Sequence, residues 1–134
     1  MDRKELMDFF NKRPRNCLLC TGNKNGDVNV AVYGTPKMID ENTVALAARD
    51  RRSYQYLMEN PKAAIVVLEP GEIRPDSKAV RVYLELIAVE KEGELLDQFK
   101  ESVASRAGKE SADSLQAAMR FEITEVRPLV DTAA

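Results

Sequence analysis

The chain has 134 residues, 44% of them hydrophobic, which suits one domain with a modest core and excludes a disordered segment. Its 20 basic and 22 acidic side chains leave a net charge of −2, which argues against a dedicated nucleic-acid binder. With no histidine and only Cys17 and Cys20 as thiols, the chain excludes every Ser-His-Asp or Cys-His arrangement and most zinc sites. We therefore expect no metal site, and chemistry that comes from carboxylates, lysine, tyrosine or a bound cofactor.

Residues 2–12 place Leu6, Phe9 and Phe10 at helical spacing among charges, which predicts an amphipathic helix ended by Pro14. Asn16 to Thr21 reads as a short strand. The run Gly22-Asn23-Lys24-Asn25-Gly26-Asp27 is dense in turn formers and closes a hairpin. Val28 to Thr35 is the second strand, with Val28, Val30 and Val32 alternating against Asn29 and Ala31. A turn at Asp40-Glu41-Asn42 leads to a third strand, Thr43 to Ala48. A short helix over 52–60 is stopped by Pro61, and Lys62 to Glu69 is an apolar strand. After a loop rich in Pro and Gly, Ala79 to Val89 is a long strand with Val80, Val82, Leu84 and Leu86 on one face. Leu95, Leu96, Phe99 and Val103 mark a helix that ends near Gly108, and Met119 to Val126 is the last strand.

Six strands joined mainly by turns, with three helices, predict a mainly β, single-domain fold: an antiparallel sheet closed into a small barrel. A ferredoxin-like sandwich is the alternative. No apolar run is long enough to cross a bilayer, and the first residues lack the apolar core of a signal peptide, so we expect a cytoplasmic protein without a membrane partner.

Two motifs carry candidate chemistry. Cys17-Leu18-Leu19-Cys20 matches a C-x-x-C pattern but falls in a predicted strand. There the two residues face opposite sides with Cα atoms about 10 Å apart, beyond the roughly 7 Å limit of a disulfide. Two small core residues are the reading we adopt. The second motif is the corner Arg49-Asp50-Arg51-Arg52-Ser53, where the chain leaves a strand and enters a helix. Guanidinium forks, a hydroxyl and helix N–H groups there suit a phosphate. The competing reading is a solvated basic turn, with Asp50 capping the helix and the arginines paired to Glu59 or Glu69. Asn29, Tyr33 and Thr35 are polar groups on an apolar hairpin that either line a pocket or face water.

The order of elements and the stretch Val44-Ala-Leu-Ala-Ala48, Arg51-Arg52-Ser53 and Leu57-Met58-Glu59-Asn60-Pro61-Lys62-Ala-Ala-Ile-Val67 resemble a known family. They look like the pyridoxamine 5′-phosphate oxidase-like, FMN-binding split-barrel proteins, over about residues 3–129. The resemblance implies a split β-barrel of six antiparallel strands that binds FMN. It places the FMN phosphate at Arg52 and Ser53, with Arg49 and Arg51 nearby. It places the flavin ring and ribityl chain along Ala31, Val32, Ala47 and Ala48. Ser53 stands where many members have a phosphate-binding lysine, and Ala47 where some have a hydroxyl. The resemblance also implies a homodimer with flavin at the interface, acting as an FMN-dependent oxidoreductase or an electron carrier. The vitamin B6-specifying residues are not recognisable, and no catalytic residue is assigned. The alternative is a non-catalytic split-barrel module that holds another ligand, such as a deazaflavin, or has lost its flavin.

Overall fold

The computed structural model describes residues 1–131. Helix α1 (Arg3–Asn11) is capped by the Asp2 carboxylate, which accepts from the Glu5 N–H at 2.8 Å. It buries Leu6, Phe9 and Phe10, the three residues its spacing selects. Strands β1 (Asn16–Gly22), β2 (Val28–Val32), β3 (Lys37–Asp40) and β4 (Thr43–Ala48) follow. Helix α2 (Arg52–Glu59) leads to β5 (Lys62–Leu68) and β6 (Ala79–Glu90). Helices α3 (Glu94–Ala107) and α4 (Lys109–Asp113) precede the closing strand β7 (Ala117–Pro128).

The strands form one sheet in the order β2-β1-β5-β6-β7-β4-β3, and every neighbouring pair is antiparallel. The mainly β, antiparallel split-barrel expectation holds, with three corrections, the first being a fourth helix, the five-residue α4, where three were expected. There are seven strands, not six. β3 is only four residues long and buries only Met38 deeply, too little alternation to stand out in sequence. The sheet is also not closed: β2 and β3 are its two edges, although they are consecutive in the chain. The segment between them, residues 33–36, spans the gap as a strap. The Tyr33 N–H donates to the Cys17 carbonyl at 2.9 Å. The Thr35 hydroxyl donates to the Ala47 carbonyl at 2.8 Å and accepts from the Ala47 N–H at 3.1 Å. One side chain thus satisfies the backbone of β4 at a point that β3, which begins only at Lys37, does not reach.

Two cores share β4. The inner one gathers Phe10, Leu19, Met38, Leu46, Ile65 and Phe121 with their neighbours. The outer one packs Leu95, Leu96, Phe99 and Val103 of α3 onto Ala45, Ala47 and Ala118. This explains why Thr-Val-Ala-Leu-Ala-Ala does not alternate in polarity. Val44, Leu46 and Ala48 point to the inner core, and the alanines between them leave room for a helix. Cys17 is buried and Cys20 half-buried on the other face of β1; both are free thiols. Burial pushes the Cys17 thiol up to about 11 and raises Cys20 as well, so neither is a ready nucleophile. Among the described residues, no helix is long and apolar enough to cross a membrane.

Candidate functional site

A cleft of about 490 Å³ lies between β2, the strap, the end of β4 and the start of α2. That volume is in the range of small-molecule and cofactor sites. Its walls include Ala31 and Val32 of β2, Ala47 of β4, and Arg49, Arg51, Arg52 and Ser53 of the corner. Asn29, Tyr33 and Thr35 complete the polar side, and Val103 and Leu115 enter from the helical layer. Of the eight residues singled out in sequence, seven line this cleft. Ala48 does not: its side chain is buried in the inner core, because alternation along β4 turns it away from Ala47.

The corner is an open helix start. Arg51 occupies the position before α2 in extended conformation, and no side chain caps the helix. The first helical hydrogen bond runs from the Gln55 N–H to the Arg51 carbonyl at 2.9 Å. The N–H groups of Arg52, Ser53 and Tyr54 lie ahead of it, without intrahelical acceptors, at the positive end of the helix dipole. Asp50 does not cap the helix; its carboxylate accepts from Gln55 Nε2 at 3.2 Å. Nor is the basic turn neutralised. Among the described residues, Arg49, Arg51 and Arg52 form no ion pair with any carboxylate, Glu59 and Glu69 included.

The three arginines are not equivalent. Arg49 is anchored: its Nε donates to Ser114 Oγ at 2.6 Å and its Nη2 to Ser111 Oγ at 3.3 Å. It ties the corner to α4. Arg51 and Arg52 are exposed, and Arg51 donates only to the Asp50 carbonyl, at 3.3 Å. Ser53 is buried at the cleft floor and accepts from Asn29 Nδ2 at 3.2 Å. Burial raises the Tyr33 phenol above its ordinary value, while a hydrogen bond to Ser53 and the charge of Arg49 pull the other way. Tyr33 therefore stays a neutral donor near neutral pH.

β2 presents its faces in an unexpected sense. Asn29 and Ala31 are half-buried, whereas Val28, Val30 and Val32 are 80%, 61% and 77% exposed. The alternation is the one read in sequence, but the apolar side faces outward along a free sheet edge. Tyr33 and Thr35, which the sequence left as either pocket-lining or solvent-facing, line the cleft, and Val103 and Leu115, not among the site candidates, join them. The first two carried a signal as polar residues on an apolar hairpin. Val103 reads as an ordinary core position of a helix, and Leu115 carried no signal in the sequence.

The sequence profile of the family described as pyridoxamine 5′-phosphate oxidase matches residues 3–129. A search of curated protein sequences finds no match. Among solved structures, the chain is similar to an FMN-binding protein from Syntrophomonas wolfei subsp. wolfei. That pair shares 27% identity with a TM-score of 0.81, covering 98% of this chain and 90% of the other. It is also similar to HutZ, the heme storage protein from Vibrio cholerae, at 20% identity and a TM-score of 0.66, covering 96% and 95%. An F420 reductase aligns at 14% identity and a TM-score of 0.68, covering 90% and 94%. The last two likenesses speak for the fold alone. The profile match, which spans nearly the whole chain, and the open antiparallel sheet with its strapped gap lead to one assignment: this chain belongs to the pyridoxamine 5′-phosphate oxidase family.

Proposed function

We propose that the chain binds FMN in this cleft and acts as an FMN-dependent oxidoreductase or electron carrier in the cytoplasm. The observation that carries the reading is the corner itself: an uncapped helix start flanked by two unpaired, exposed arginines, at one side of a cleft of cofactor size. Arg51, Arg52, Ser53 and the first N–H groups of α2 hold the phosphate. Arg51 takes over the charge that lysine supplies in many relatives. Ala31 and Ala47 are small enough for a flat ring to approach backbone, and Val32 borders the same wall. When bound, FMN supplies hydride or single-electron transfer; the protein supplies binding, orientation and hydrogen bonds. Tyr33 and Asn29 serve as neutral donors along the wall. No side chain of the cleft is assigned as a general acid or base.

The cleft is bordered by the outward row of β2, and Val30 and Val32 both line it and stand exposed. A continuous apolar strip along a free edge next to a ligand cleft suits a second copy of the chain. We therefore read the working unit as a homodimer whose interface covers β2 and closes the cleft.

The test is direct. Purified protein titrated with FMN is expected to bind it and show a perturbed flavin absorption spectrum. Arg51→Ala with Arg52→Ala should weaken FMN about 100-fold, from two charge-assisted contacts of roughly 1.5 kcal/mol each. Riboflavin, which lacks the phosphate, should bind both proteins alike. Equal losses for FMN and riboflavin would overturn the phosphate assignment. A chain that binds a deazaflavin and not FMN would support the alternative reading.

A further inference from the structure

A second group of arginines converges on the strap, separate from Arg51 and Arg52. Arg13 Nη2 donates to the Gly34 carbonyl at 2.8 Å. Arg15 donates to the Pro36 carbonyl, and its Nε and Nη1 are buried without any hydrogen-bond partner. Arg106 lies in the last turn of α3, and its Nη1 stands 3.9 Å from where a Cβ on Gly34 would sit. Among the described residues, its one hydrogen bond is a 3.4 Å contact from Nε to the Ser102 carbonyl of its own helix. None of the three forms an ion pair with a carboxylate there.

Three like charges without a counter-ion raise the local potential, and an anion relieves it. Burial, and then the neighbouring Arg106, hold the Arg13 guanidinium below its usual value. Arg15 is lowered mainly by burial, with Arg13 and Arg106 adding to it. Arg13 and Arg15 have structural duties at strap carbonyls, but each guanidinium carries five donors and spends one there. Arg106 has no structural duty beyond its own helix. Gly34 lines the cleft, and so does Val103, one helical turn before Arg106. Arg13 and Arg106 do not themselves line the cleft; they stand behind Gly34, which has no side chain to separate them from it.

We propose that Arg106 and Arg13 form with Gly34 a second anion site beside the cleft; Arg15, stacked on Phe10 and facing a separate hollow, supports the strap through the Pro36 carbonyl. The site takes a carboxylate or phosphate group of a small molecule, independently of the corner at Arg51 and Arg52. Together the two sites fit an anionic substrate beside the cofactor, but the strap site does not depend on flavin.

The probe is inorganic phosphate, titrated at constant ionic strength into the isotope-labelled, flavin-free full chain and followed by amide resonances. The Gly34 amide is expected to move and saturate. That movement should persist in the Arg51→Ala, Arg52→Ala variant and in protein preloaded with FMN. Arg106→Gln should weaken it roughly tenfold, and Arg106→Lys should restore part of it. Because Arg106 is exposed and bonds only its own helix, the remaining resonances should stay in place; Arg13→Gln provides a second variant. A linear shift at Gly34 that never saturates would mean an adventitious ion only and would overturn the site. So would a shift unchanged in Arg106→Gln, or one abolished by FMN, which would give these arginines to the cofactor. The flavin-free titration reads out whether or not FMN binds, so the two readings fail separately.

Discussion

Arginines without a carboxylate partner gather at the corner, which lines the cleft, and at the strap behind it, and the two regions are built in different ways. The corner is local. Arg51, Arg52, Ser53 and the open start of α2 are contiguous, and one turn of chain sets their geometry. The strap is assembled from far apart: Arg13 and Arg15 precede β1, Gly34 follows β2, and Arg106 ends α3. A local site is readable as a motif and survives changes elsewhere. A dispersed one depends on the packing of three elements and leaves no motif behind.

This contrast is easiest to break through ligand affinity. Loss of Arg51 and Arg52 should remove about 100-fold of FMN affinity while leaving the strap untouched. Retention of full affinity in that variant would erase the distinction between the two regions.

The second effect is on stability at high pH. An unfolded Cys17 thiol ionises near 9, and the folded one at about 11. Between those values the folded chain keeps a proton that the unfolded chain releases. Stability is therefore unaffected below pH 9 and falls by about 1.4 kcal/mol per pH unit as pH rises toward 11. Cys20, also raised by burial, acts in the same direction. Urea unfolding at pH 8.5 and at pH 10.5 measures the slope, and Cys17→Ala should flatten most of it. Since the Cys17 carbonyl anchors Tyr33, this reports on the strap's foundation and not on the corner.

Thr35→Val comes next. It keeps the shape but strands the N–H and the carbonyl of Ala47, at a cost of about 1–3 kcal/mol in unfolding free energy. Unchanged stability would mean that the strap is not what secures the end of β4. The smallest effect should be Ser53→Ala, which removes the acceptor for Asn29 and costs about 1 kcal/mol. A loss in FMN affinity larger than that in stability would show Ser53 touching ligand as well as Asn29.

Much of the fold was legible because periodicity reports burial. Leu6, Phe9 and Phe10 announced α1, and Val80, Val82 and Leu84 announced the inner face of β6. β3 escaped because a four-residue strand with a bulge and one fully buried side chain has no period to detect. The open sheet escaped because whether β2 and β3 pair is decided by tertiary contacts: here they stay unpaired edges, and the strap between them is held by Tyr33 to Cys17 and Thr35 to Ala47. β2 shows a deeper limit. Alternation of Val28, Val30 and Val32 fixes two faces but not which one meets the core, and here the valines face outward. At the site, the corner was legible as a contiguous motif. The anchoring of Arg49 by α4 was not, since Ser111 and Ser114 lie more than 60 residues away in the chain.

β4 is buried on both faces, with alanines on one side admitting α3 and larger residues on the other filling the barrel. Such a strand has no permissive side through which sequence can drift. Across a library of random substitutions, positions 44–48 should be among the least tolerant of the chain, and the exposed row of β2 among the freest in an isolated protomer. Change in ligand preference should therefore come from the turns and helices around the cleft. The strand between the two cores stays fixed as the reference from which those surrounding parts can diverge.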